Sequence, residues 1–126
     1  MKDNTLVAII RKTAVEGFFG FITTDESAYQ ELIKTVHGDM SLHDYGLAER
    51  ARIQTNNGVY IFVTQILDLD SLKKNKKNKL RGDLTALGYK PRCLKLNYEK
   101  GQTIYALETE CVELMYNTML KKNKKT

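Results

Sequence analysis

Hairpins, not single strands, separate the helical stretches of this sequence. That order points to an α+β domain with a largely antiparallel sheet and two to three helices, not to a doubly wound parallel one. Residues 6–13 read as a strand because Val7, Ile9 and Ile10 are β-branched and the polar Arg11 and Lys12 close the run. Ala14-Val15-Glu16-Gly17 leads into a second strand, 18–24, whose phenylalanines and threonines favour a pleated surface. The two are expected to pair. Asn56-Asn57-Gly58 offers left-handed positions for a second tight turn, between 50–54 and 59–66. A third hairpin is expected after Pro91, joining 93–98 to 103–107 around Glu99-Lys100-Gly101-Gln102.

Helical periodicity fills the gaps. Asp25, Glu26 and Ser27 supply a cap and a first-turn acid for a helix to about residue 36, with Ala28, Leu32, Ile33 and Val36 on one face and Gly38 as its stop. Residues 37–47 read as irregular, with room for one helical turn. If residues 68–71 cap a helix through the basic run, Leu69, Leu72, Leu80, Leu84 and Leu87 share a stripe and Gly88 ends it. The alternative is a solvated loop over 73–79. A last helix, 108–121, sets Cys111, Met115 and Met119 at i, i+4 and i+8. A chain of 126 residues with one proline and no Gly/Ser linker is expected to form one domain over 1–120, followed by a basic flexible tail, 121–126.

The longest apolar runs are far shorter than the roughly 20 residues a bilayer requires, and residues 6–10 are too few for a signal-peptide core. An intracellular, cytoplasmic location without a membrane partner is therefore expected. There Cys93 and Cys111 would remain free thiols.

The formal charge of +5 hides a separation. Residues 1–70 carry 6 basic and 10 acidic side chains (−4), and 71–100 carry 10 and 2 (+8). Residues 101–120 carry only Glu108, Glu110 and Glu113 (−3), and Lys121, Lys122, Lys124 and Lys125 follow (+4). Within 73–81 stand six cations and no acid: Lys73, Lys74, Lys76, Lys77, Lys79 and Arg81. Cations in a first helical turn oppose the helix dipole by about a few tenths of a kcal/mol each, and they repel one another. Such placement fits a surface that meets phosphates, where each lysine releases counterions and lends affinity without sequence preference. Lys90, Arg92 and Lys95 flank the run as further contacts. The competing account is a charged loop that only keeps the chain solvated.

Glu16-Gly17-Phe18-Phe19-Gly20-Phe21-Ile22 partly resembles the aromatic strand on which RNA-recognition and cold-shock domains stack bases. Glu16 stands where that pattern has a cation, and an extra phenylalanine precedes Gly20. Period-2 geometry sends Phe18 to one face and Phe19 with Phe21 to the other, so ordinary core is the leading expectation and base stacking by Phe19 or Phe21 the lesser one.

His37, Asp39, His43 and Asp44 form the one His and carboxylate cluster in the sequence. A six-residue separation of the histidines fits no common zinc spacing, so no metal or cofactor is assigned. No GxSxG, GxxxxGK[ST] or GxGxxG motif is present, and no catalytic residue is assigned. Three functions stay open. The leading one is an RNA- or DNA-binding regulatory or accessory protein, of a style that suits a phage or mobile element. The second is an inhibitor or adaptor docking on an acidic partner protein. The third is a small ribonuclease with His37 or His43 as base and a lysine stabilising phosphate charge.

Overall fold

The computed structural model describes residues 4–13, 16–39, 42–54, 57–67, 77–96 and 104–124. Strands β1 (Thr5–Arg11) and β2 (Gly17–Thr23) form the expected antiparallel hairpin, with Ala8 opposite Gly20. Strands β3 (Leu47–Gln54) and β4 (Tyr60–Ile66) form the second, and Gly58 takes the left-handed conformation (φ 75°) that the turn needs. β4 pairs antiparallel with β2, setting Phe62 opposite Phe21.

The third hairpin does not form. β5 (Arg92–Lys95) instead lies parallel to β1, with Arg11 opposite Lys95, and the sheet order is β3-β4-β2-β1-β5. Residues 104–107, expected as the partner strand, are the first turn of a long helix, Ile104–Lys124. A four-residue apolar run suits strand or helix equally. Here Ile104 and Leu107 extend the spacing of Cys111, Met115 and Met119, so the helix takes them. That helix runs on through Lys121 to Lys124, positions read from sequence as tail.

α1 (Glu26–Ile33) begins where its cap predicts, with Asp25 Oδ1 accepting from the backbone N–H groups of Ser27 (2.9 Å) and Ala28 (3.3 Å). Gly38 does not stop it. The backbone widens into a π turn over Lys34–Asp39, and a 3-10 turn, Leu42–Tyr45, follows. α2 is Lys77–Ala86, so part of the basic run is helical; its expected cap at 68–71, and Leu69 and Leu72, lie outside the described residues. The long last helix is α3. No described helix is long and apolar enough to cross a membrane.

Both faces of the sheet are covered. On one side Tyr29 of α1 packs on Phe21 and Tyr60, and His37 of the π turn meets Phe62 edge-on. On the other lies α3, its predicted stripe Cys111, Met115 and Met119 buried. This explains why β1 and β2 bury nearly every residue instead of alternating. Phe18, Phe19 and Phe21 are all core, and Phe19 and Phe21 are 0% exposed, which closes the base-stacking expectation. On the side facing α1, Thr5 and Thr23 pair with each other, Oγ1 to Oγ1 at 2.7 Å.

α3 reaches the sheet at a notch made by Ala8 and Gly20. A Cβ on Gly20 would lie 2.8 Å from the Phe62 carbonyl oxygen and 2.9 Å from Met115 Sδ. The methionine could swing aside; the neighbouring strand could not. Gly20→Ala should therefore destabilise the fold by about 2 kcal/mol or more, measured as a lower urea midpoint at unchanged m-value. An unchanged midpoint would mean that the Phe62 carbonyl of β4 stands farther from Gly20 than described.

Candidate nucleic-acid interface

α2 and β5 form one unit held at both ends by buried side chains. Leu80 and Leu84 are the buried stripe of α2, and Gly88 (φ 97°) ends the helix as predicted. The N–H groups of Gly88 and Tyr89 donate to the carbonyls of Thr85 and Leu84, both at 3.0 Å, closing the last turn. The chain then buries Tyr89, passes Lys90 and Pro91, and enters β5. Beyond the strand, Leu96 is buried and its N–H donates to the Arg11 carbonyl at 3.1 Å. The four residues of β5 are thus fixed at the sheet edge between two apolar anchors.

The predicted binding residues divide by what they touch. Lys73, Lys74 and Lys76 lie outside the described residues, and Lys77 opens α2. Lys79 Nζ stands 3.8 Å from Asp83 Oδ2 and 5.2 Å over the Tyr45 ring. Arg81 Nη2 donates to the Pro91 carbonyl at 3.5 Å, strapping α2 to the approach to β5. These two cations hold structure together. Lys90, Arg92 and Lys95 are exposed, and no ion pair or hydrogen bond joins their side chains to another described residue.

Register adds a cation that sequence reasoning missed. Arg11 closes β1 directly opposite Lys95, so both point to the α1 side of the sheet, while Arg92, opposite Ala8, points to the α3 side. The cations therefore straddle the edge instead of lying on one flat face. Arg11 read from sequence as a polar strand terminator, and only the unforeseen β1–β5 pairing gives it this neighbour. Between 77 and 96 there are six cations and one acid, Asp83, and that acid already accepts from Tyr45 Oη (3.1 Å) and meets Lys79.

No protein-family model, curated protein or solved structure matches this chain. Chemistry alone must carry the assignment.

The histidine cluster lies elsewhere. His37 is held against Arg52 of β3, whose Nη2 is 3.2 Å from Nδ1 and 3.1 Å from Nε2. β3 and β5 are opposite edges of a five-stranded sheet, four interstrand steps or about 19 Å apart. His37, packed on Phe62 of β4, is thus set apart from the β5 cations by three interstrand steps, about 14 Å. The His43 side chain lies outside the described ones. Among the described residues no group of three His, Cys, Asp or Glu could hold a metal ion, and neither Cys93 (exposed) nor Cys111 (buried) is in a disulfide.

Two buried tyrosines brace the unit. Burial first, then the hydrogen bond and negative charge of Asp83, push the Tyr45 phenol well above its ordinary value near 10. Burial and the neighbouring Glu31 carboxylate do the same for Tyr89. A pKa raised by folding stabilises fully below the unfolded value and ceases to do so as pH climbs toward the folded one. Stability should hold up to about pH 10 and fall above it. Phenolate absorbance assigned to Tyr45 and Tyr89, by difference from Tyr45→Phe and Tyr89→Phe, should rise only with alkaline unfolding. A rise near pH 10 in the folded protein would contradict this placement.

Proposed function

We propose that this protein binds RNA or DNA through phosphate contacts along the α2–β5 edge, as a regulatory or architectural accessory factor and not as a catalyst. The observation that carries the reading is that Arg11, Lys90, Arg92 and Lys95 converge on one sheet edge without any described acid or acceptor paired to their side chains. Like charges gathered in this way cost stability unless an anion offsets them. A chain selected for folding alone would place an acid among them. The cations, two lysines and two arginines, stand on both sides of an edge and not on one flat face, which suits a charged backbone passing across it. Lys73, Lys74, Lys76 and Lys77 precede or open α2 and would lengthen the same basic track.

Salt supplies the test. Binding to generic RNA or DNA should weaken by about 10³ between roughly 50 and 200 mM salt if six or so phosphates are neutralised. Combining Lys90→Gln, Arg92→Gln and Lys95→Gln should flatten the log–log salt slope by about 2 to 3, with the circular dichroism spectrum unchanged. Arg52→Gln, at the opposite edge, should leave the slope as it is. No binding at the lower salt, or equal losses from both sets of substitutions, would refute the reading. Stoichiometric copurification of an acidic protein would refute it in favour of a protein ligand.

A further inference from the structure

α3 covers the sheet with one face and leaves the other exposed among the described residues. Its buried stripe is Cys111, Met115 and Met119, and on the opposite side Thr109, Glu113, Tyr116, Asn117 and Leu120 are exposed. Tyr116 and Leu120 are each 41% exposed and stand one turn apart, at i and i+4. They are two of the four large apolar side chains exposed among the described residues; a third, Ile53, lies on the same side of the sheet, since its register through Ile61 and Ile22 matches that of Gly20.

The charge along α3 names the occupant. Glu108, Glu110 and Glu113 lie in its first half, and Lys121, Lys122 and Lys124 in its last turn. On the outer face one acid position, Glu113, precedes the apolar pair and one base position, Lys124, follows it, whereas the Glu108 and Lys122 positions fall on the sheet-facing stripe, seven residues to either side of Met115. Eleven residues, three turns, separate Glu113 from Lys124, so both positions fall on the stripe that Tyr116 and Leu120 occupy. A surface that pairs with itself about a two-fold axis must be its own complement. An antiparallel arrangement of two such helices meets that condition: acid faces base at both ends and the apolar pair meets at the centre. A parallel arrangement would set like charges against each other. A partner of one sign would satisfy only half of the helix.

We propose that α3 pairs antiparallel with α3 of a second copy of this chain, about a two-fold axis near Thr118, with Tyr116 of one copy against Leu120 of the other and the Glu113 position facing the partner's last turn. The interface is independent of the α2–β5 edge. It gives the lysines of the last turn a role in association where sequence reading offered them only as part of a basic tail.

Sedimentation equilibrium on the full chain, without nucleic acid, tests it. Twice the mass of one chain is expected at about 100 μM, with the dimer weakening as salt rises. Tyr116→Glu and Leu120→Glu should each raise the dissociation constant by about tenfold or more while circular dichroism stays unchanged. Glu113→Lys should weaken association, and adding Lys124→Glu to it should restore it. A single-chain mass at all concentrations overturns the proposal. So does a dimer indifferent to Tyr116→Glu and Leu120→Glu, or one that Glu113→Lys leaves intact.

Discussion

Met115 rests where Gly20 has no side chain, and the packing of the other elements follows from that approach. With the notch open, α3 lies close over the centre of the sheet and buries the Leu6, Ala8, Ile10, Phe18 and Ile22 side, while α1 and its π turn bury Val7, Ile9, Phe19 and Phe21. Burying a Phe or Ile side chain is worth about 1.5 to 3 kcal/mol, and a strand covered on both faces collects this at every position instead of every second one. A short β1–β2 hairpin can then anchor the whole sheet. Each edge can be irregular or brief, as the register shift between Ala48 and Ala51 in β3 and the four residues of β5 show.

What was legible in the sequence was local. Asp25 as a cap, Gly58 and Gly88 as left-handed residues, and the Leu80/Leu84 and Cys111/Met115/Met119 stripes each act through neighbours within a turn or so, and each was found where expected. The failures were non-local. Whether 104–107 joined a strand or a helix depended on what β5 paired with, and β5 pairs with a strand some eighty residues away in sequence. The extension past Gly38 was hidden for another reason: glycine can end a helix only if its backbone turns left-handed, and here packing of Val36 and His37 on the sheet keeps the chain helical through Asp39.

The candidate site was legible as charge and illegible as geometry. Counting cations found Lys79, Arg81, Lys90, Arg92 and Lys95, yet counting could not tell which would be consumed by the fold. Lys79 lies four residues before Asp83, the less favourable order for such a pair on a helix. It is held there because Tyr45, buried and donating to Asp83, gives the ammonium both a carboxylate and a ring face. Arg81 is similarly spent on the Pro91 carbonyl. Exposure and pairing, not charge number, separate these two from the residues at the strand.

The separation of charge along the chain then has two physical meanings. At β5 and its approach, cations of one sign are crowded on an edge with no described acid to answer them, and that arrangement lowers its energy when an anion from outside arrives. On α3, acid and base sit on the same helix but too far apart to meet within it: Glu113 and Lys124 are about 16 Å apart along the axis. Their attraction can be realised only across a two-fold axis. A single net charge of +5 therefore sums an unanswered field and a self-complementary one, and the two differ in how they respond to a polyanion. The first is quenched by it, while the second already carries its own counter-charge on the second copy.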